Sequence, residues 1–323
     1  MTGPPVTCRG FGQRGDRDFG REAVERLLAT GEFFWIDLYR PGAADFAILR
    51  DLFGFHPLAV QDSEHFDQRA KIDEYEDFVF FVVYGASQDR NHLVEVHCFY
   101  SGRFLVTVHR DDCPVLVELR RRCERDRDEP AMKPSRVLYR VVDGLAGSFF
   151  PSLSAFDDRI DDLEDQVFIA TSDDQLQEIF QMKRQLVAFR KAVTPQRDAF
   201  ASLGGRLSEL PGFDHEDEHY FRDVYDHLIR ISDLIDSYRD LLSGAMDVYL
   251  STVSNRLNAV MKQLTVIATV FLPLTFITGF FGQNFAWLTR HVQGSAAFVF
   301  LGVGLELLAV LLLFGLFKRR DWF

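Results

Sequence analysis

The stretch LTVIATVFLPLTFITGFFGQNF, Leu264 to Phe285, decides how this chain is read. It belongs to a run of 27 residues between Lys262 and Arg290 that holds no acidic or basic side chain. As a helix that run reaches about 40 Å, and a hydrocarbon core needs about 30 Å. A second apolar stretch, Ala296 to Phe317, is interrupted only by Glu306. The link between the two is short, so they form a hairpin of membrane spans with both ends on one side. Lys318, Arg319, Arg320, Arg256 and Lys262 flank the open end, whereas the loop carries only Arg290. The positive-inside rule then puts both termini in the cytosol and makes this a multi-pass protein of the cytoplasmic (inner) membrane.

Upstream and into the first span, one line of residues stands apart. Asp247, Ser251, Ser254, Asn258, Met261, Thr265, Ala268, Leu272, Thr275 and Gly279 follow each other at alternating steps of four and three. A 3.5-residue period keeps one helix face turned toward a common axis. Most members are small or polar, and a polar stripe in a membrane helix faces protein or water rather than lipid. Small residues also make tight helix–helix seams, so the stripe by itself fits either a packed seam or a hydrated axis. Asp247 and Asn258, continuing the line below the membrane, favour the hydrated axis. Two spans cannot enclose a pathway alone, so that reading demands a symmetric oligomer.

The 323 residues carry a net charge of −12, unevenly placed. After Leu257 the five basic residues outnumber Glu306 and Asp321 to leave +3, so the first 256 residues carry −15. An acidic body argues against a nucleic-acid partner, which needs clustered Lys and Arg. The four cysteines, Cys8, Cys98, Cys113 and Cys123, show no CxxC spacing, which predicts free thiols in a reducing cytosol. The chain has no nucleotide-binding P-loop, nucleophile elbow or zinc-finger spacing, so nothing supports an enzyme.

The first 150 residues read as mixed α/β. FFWIDL (Phe33–Leu38), DFVFFVVYG (Asp77–Gly85), LVEVHCFY (Leu93–Tyr100) and FLVTVH (Phe104–His109) are strand candidates. A helix opening at Pro57 separates the first two, and Ser87–Asn91 reads as a turn. From about residue 135 the pattern is helical. Leu153, Phe156, Ile160, Leu163 and Val167 form a packing stripe whose outer face is crowded with acids from Asp157 to Asp165. A helix over Gln175–Val193 is expected to stop before Thr194-Pro195. From His219 no proline occurs until Pro273, which predicts one long helix running into the first span. On HLVEVHC, strand alternation puts Glu95 and His97 on one face and His92 and Cys98 on the other, so these four do not converge on a metal.

SNRLNAVMKQLTVIATVFLPLTFITGFFGQNF (Ser254–Phe285), the closing FKRRDWF, HYFRDVYDHLIRISDLIDSYRDLLSGAMDVYL (His219–Leu250) and HPLAVQDSEHFDQRAKIDEYEDFVFFVV (His56–Val83) together resemble the CorA-type magnesium channels and transporters. The resemblance implies an α+β membrane protein assembled as a homopentameric funnel. A cytosolic α/β domain (1–150) is followed by a helical stalk with an acidic hairpin (151–260) and a two-helix membrane domain (261–323). It further implies a pore-lining first span ringed by the second, with a Gly-Met-Asn signature at the outer mouth. Gly282 and Asn284 match the first and third signature positions, and Gln283 stands in place of the methionine. Magnesium sheds water reluctantly. A ring of neutral Asn oxygens can hydrogen-bond its hydration shell without trapping the ion as carboxylates would.

On the same resemblance, Asn258, Met261, Leu264, Leu272, Thr275 and Gly279 match pore-lining or constriction positions. Leu264 lies beside the stripe, where an apolar ring can gate by excluding water. Asp247 matches an acidic ring below the pore. Asp223 matches a cytosolic regulatory metal site between subunits, with Asp89 as its candidate partner. The implied activity is divalent cation transport without ATP or any nucleotide, chiefly of Mg2+ and open to Co2+, Ni2+ or Zn2+, closed when cytosolic Mg2+ bridges the regulatory acids. Gln283 departs from the signature methionine, and the basic outer loop, AWLTRHVQG, from relatives that carry acids after the signature. They leave room for a zinc or other divalent transporter of the same architecture, and for a membrane-anchored interaction protein that does not conduct. Glu306, midway along the second span, reads as a protonated or hydrogen-bonded structural acid.

Overall fold

The computed structural model describes residues 7–12, 21–31, 33–87, 92–125 and 133–319. In chain order the elements are β1 (Thr7–Gly12), α1 (Arg21–Thr30), β2 (Phe34–Tyr39), α2 (Ala43–Asp51), α3 (Pro57–His65), β3 (Lys71–Glu74), β4 (Val79–Ala86), β5 (Leu93–Tyr100) and β6 (Phe104–His109). Helices α4 (Pro114–Arg125), α5 (Pro134–Gly147), α6 (Phe149–Ile169), α7 (Asp173–Ser202) and α8 (Asp217–Phe281) follow. The chain closes with α9 (Ala286–His291) and α10 (Ser295–Arg319). Two compact units emerge: Met1–Gln166 with Ser172–Met246, and Val167–Thr171 with Asp247–Phe323.

In the first unit the strands form one sheet in the order β1-β2-β6-β5-β4-β3. β1, β2 and β6 run parallel, and the remaining pairings are antiparallel. Strict alternation sends Trp35, Phe81, Val83, Val96 and Leu105 to one face and Phe34, Ile36, Phe80, Val82 and Val106 to the other. Each face then buries against helices, as a two-faced apolar sheet must. Helices α2 and α3 cover the second face through Phe46, Leu49, Ala59 and Val60. α5 covers the first, and one contact there is close enough to demand glycine. A Cβ on Gly85 would lie 2.8 Å from Ser148 Oγ and 3.1 Å from the Leu145 carbonyl.

The packing stripe of α6 joins that core, with Leu153, Phe156, Ile160 and Leu163 buried beside Ile179, Leu186 and Phe189 of α7. One boundary differs from expectation. α7 does not end before Thr194-Pro195 but continues to Ser202 with Pro195 inside it. Burial accounts for this. Gln196 is buried, its Oε1 accepts from the Tyr84 amide at 2.7 Å, and its Nε2 donates to the Tyr84 carbonyl at 3.4 Å. The side chain thus completes the backbone pairing of β4 beyond the end of β3. Docking of α7 on the sheet through Val193, Gln196 and Phe200 outweighs the hydrogen bond that Pro195 cannot make. The expected long helix is present as α8, 65 residues with Pro273 inside it.

Candidate functional site: an exposed polar stripe, its amide mouth and an acid–imidazole cluster

In the second unit, α8 carries two unlike faces. Val266, Thr269, Val270, Pro273, Leu274, Ile277 and Phe281 are half-buried within the chain. Along α10 the matching set is Gly302, Glu306, Ala309 and Leu313, half-buried, with Phe317 buried. Every member of the sequence-derived stripe, from Asp247 through Asn258, Met261 and Thr275 to Gly279, is exposed. At 100° per residue the stripe is centred roughly 150° round the helix from the packed face. Small residues serving the seam with α10 would lie on the packed face, so a tight intrachain seam does not explain the stripe. Leu264 is likewise exposed, at 58%, as is Leu272 at 72%.

The hydroxyls on this helix have a defined orientation. Thr265 Oγ1 donates to the Met261 carbonyl at 2.7 Å, and Thr275 Oγ1 donates to the Phe271 carbonyl at 2.8 Å. Their protons are spent on the helix, so the oxygens present lone pairs outward, which suits a hydrated cation.

At the end of α8, Gly282 N donates to the Thr278 carbonyl at 2.9 Å. A Cβ on Gly282 would sit 3.0 Å from that same oxygen, so a side chain there would have to push against the last turn. Gln283 and Asn284 follow, both exposed, and both line a cavity of about 210 Å³ with Phe281, Leu288, Phe298 and Leu301. Two neutral amides thus occupy the point where the apolar helix gives way to the loop. α10 contains a π-helical segment, Phe298–Gly304, that ends two residues before Glu306. Glu306 lies on the half-buried face of α10.

In the first unit, Asp223 does not stand alone. Tyr139 Oη donates to Asp223 Oδ2 at 2.9 Å, His227 Nδ1 pairs with Asp143 Oδ1 at 2.9 Å, and His227 Nε2 lies 3.9 Å from Asp223 Oδ1. One ligand atom from each of Asp143, Asp223 and His227 falls within 4.8 Å of the others. All three side chains keep 31–49% of their surface, so ions and water reach them. Burial pushes the Tyr139 phenol up, and the hydrogen bond to Asp223 and the charges of Asp143 and Asp223 add to it, so the hydroxyl stays a donor. Two carboxylates and an imidazole are a donor set for a divalent cation, and the nitrogen admits transition metals as well as Mg2+. Asp143 and His227 were not singled out by sequence. His227 follows Asp223 by four residues, a one-face helical spacing that could have flagged it, whereas Asp143 comes from α5 and only the fold supplies it. Asp89, the partner expected for Asp223, lies outside the described residues.

Glu95 and His97 do share a face, as alternation required, and they are consumed by structure. Glu95 accepts from the backbone amides of Asp67 at 2.7 Å and Gln68 at 2.9 Å, and contacts His97 Nε2 at 2.7 Å. His97 Nδ1 meets Ser63 Oγ at 2.9 Å. The turn so held has Phe66 and Asp67 in left-handed backbone, φ 54° and 57°, which side chains other than glycine seldom adopt. The group pins α3 to β5 and has no open ligand position. On the acid-rich face of α6, Arg159 Nη1 donates to Asp162 Oδ2 at 3.5 Å, and Arg159 Nη2 reaches across to Glu178 Oε2 of α7 at 2.6 Å. Cys98 and Cys113 are buried free thiols.

Comparison with known proteins places this geometry. The sequence profile of the CorA-like Mg2+ transporter protein family matches residues 30–319. The chain is 36% identical over 277 residues to the cobalt/magnesium transport protein CorA of Thermotoga maritima, covering 84% of this chain and 78% of that one. It is 28% identical over 172 residues to the zinc transport protein ZntB of Yersinia enterocolitica, about half of each chain. The complete structure of the CorA magnesium transporter from Methanocaldococcus jannaschii shares the fold with a TM-score of 0.79 at 23% identity, over 90% of this chain and 91% of that one. With two helices long and apolar enough to span a bilayer and a profile match over nearly its whole length, this chain belongs to the CorA-like Mg2+ transporter family of divalent cation transport proteins.

Proposed function

We propose that the chain conducts Mg2+ down its electrochemical gradient through the axis of a homopentamer in the cytoplasmic membrane, with both termini in the cytosol. One observation carries the reading. The polar stripe from Asp247 to Gly279 is exposed on the side of α8 opposite the face packed against the chain's own second span. In a bilayer such a face needs protein or water, and copies arranged about an axis supply both. In this reading Asn284 and its symmetry mates hold the hydration shell of the entering ion, with Gly282 allowing close approach. Gln283 adds a second amide where relatives of the Gly-Met-Asn type have a thioether. Leu264 and Met261 form the apolar constriction, Asn258, Leu272, Thr275 and Gly279 line the path, and Asp247 gathers ions at its cytosolic end.

Regulation in this reading belongs to Asp223, together with Asp143 and His227. A divalent ion held among them neutralises two carboxylates and keeps the closed arrangement. When cytosolic Mg2+ falls, the unscreened acids repel and the closed state loses its advantage.

The test is uptake into liposomes by purified protein, wild type against Asn284→Ala, with Mg2+, Co2+, Ni2+ and Zn2+ offered in turn. Mg2+ flux abolished by Asn284→Ala is the expected result. Flux of Zn2+ but not Mg2+ would reassign the cargo within the family. A correctly assembled wild type that passes no ion would make the chain a membrane-anchored interaction protein.

A further inference from the structure

The loop between the membrane helices has two chemically distinct sides. On α9, Leu288 is half-buried and lines the cavity beside α10 with Val292, Phe298 and Leu301. Trp287, Arg290 and His291, at helical spacings of three and four, are exposed on the other side, Trp287 at 68%. The Trp287 and His291 rings stack at 4.7 Å and 21°, and His291 Nδ1 contacts the Trp287 carbonyl at 2.9 Å. The indole is therefore exposed and braced by His291, about one helical turn from Arg290, in the loop that joins the two spans.

Near the loop the sequence offers Arg290 no carboxylate. From Val248 to Leu305 the sequence contains no Asp or Glu at all, and Glu306 sits mid-span. Among the described residues neither Arg290 nor His291 pairs with a carboxylate. An identical copy cannot supply one either, because it repeats the same acid-free surface. An anion that pairs with Arg290 therefore comes from outside the protein. A braced tryptophan beside an arginine at the membrane surface matches one such source, since indoles prefer the headgroup layer and guanidinium binds phosphate.

We propose that Trp287 and Arg290 dock the loop on anionic phospholipid headgroups of the adjoining leaflet, with His291 bracing the indole. The proposal rests on the reading of the two helices as membrane spans. Arg290 is thereby turned from a barrier to incoming cations into a lipid anchor that fixes the depth of the amide mouth.

The test is native mass spectrometry of the detergent-purified full-length protein with phosphatidylglycerol, followed by Mg2+ uptake in phosphatidylcholine vesicles with and without that lipid. A single basic residue at an anionic surface contributes about fivefold in affinity. Arg290→Gln is expected to retain phosphatidylglycerol about fivefold less well than wild type, while Arg290→Lys, which keeps the charge, retains most of it. Trp287→Leu should weaken retention without altering assembly. Equal retention by wild type and Arg290→Gln would overturn the proposal. So would displacement of the lipid by inorganic phosphate at matched concentration, which would mark a free-anion site. So would an Arg290→Gln gain in Mg2+ uptake that is the same in both vesicles, which would mean that the arginine acts on the ion. Lipid retention needs no transport, so a failure of the transport reading leaves this result interpretable.

Discussion

Asp223→Asn removes one charge from the Asp143–Asp223–His227 cluster while keeping the side-chain shape and an oxygen for the Tyr139 hydroxyl. The three ligand atoms fall within 4.8 Å of each other, and the side chains are 31–49% accessible. The appropriate dielectric is therefore close to that of water. A doubly charged ion held through one water, about 4 Å from the lost charge, gives up about 2 kcal/mol, or about thirtyfold in dissociation constant. The assay is a thermal-melt titration of the purified full-length protein with MgCl2 and CoCl2, paired with the luminal Mg2+ that halves liposome flux. Both midpoints should move about thirtyfold to higher ion concentration. Asp233→Asn is the control, an exposed acid elsewhere on α8 with the same change in net charge. His227→Gln should weaken Co2+ more than Mg2+, because cobalt favours nitrogen. Equal shifts for Asp223→Asn and Asp233→Asn, or no shift in either, would refute the reasoning, since the cluster would then act only as diffuse surface charge.

Other outcomes follow from the same geometry. Burial raises the Glu95 carboxyl, but the His97 hydrogen bond, the Gln68 amide, the His97 charge and the Asp67 amide together bring it below its ordinary value. Its stabilising contribution is therefore present above the unfolded carboxylate value of about 4.3 and lost as pH falls through the lower folded value. Glu95→Gln should cost about 1–3 kcal/mol at pH 7, with the gap from wild type closing below about pH 4 in urea or thermal melts. Gln196→Ala strands the Tyr84 amide and carbonyl and should cost about 1–3 kcal/mol, read as earlier hydrogen exchange along β4. Glu306→Gln should leave the pH profile of transport unchanged, because Glu306 lies on the packed face of α10 and away from the stripe. A changed profile in liposome flux would give that acid a transport role.

Much of this molecule could be read from local pattern. A 27-residue stretch without charge, the β-branched and aromatic runs Phe33–Leu38 and Phe104–His109, and the 3.5-residue line from Asp247 to Gly279 each depend on residues close together in sequence. Their physical basis is local too: helix rise against bilayer thickness, strand pleat and helical angle. β1 and β3 gave no such signal. TCRGFG and KIDE owe their strand conformation to the neighbours they pair with, Phe34–Tyr39 and Val79–Val82. The end of α7 is illegible in the sequence for a related reason, since the partner that makes Pro195 tolerable is Tyr84, more than a hundred residues away.

The candidate sites divide in the same way. By itself the sequence determined the membrane hairpin, the mixed α/β body, the polar stripe and the two amides of Gln283 and Asn284, because local composition and spacing within single segments set all of them. Only the tertiary structure decided that the stripe lies opposite the seam with α10, since which face of a helix is buried depends on the partner that covers it. Only the tertiary structure brought Asp143 of α5 against Asp223 and His227 of α8, and spent Glu95 and His97 on a strained turn. Ligands converge in space, and no periodicity within one segment encodes a contact made by another.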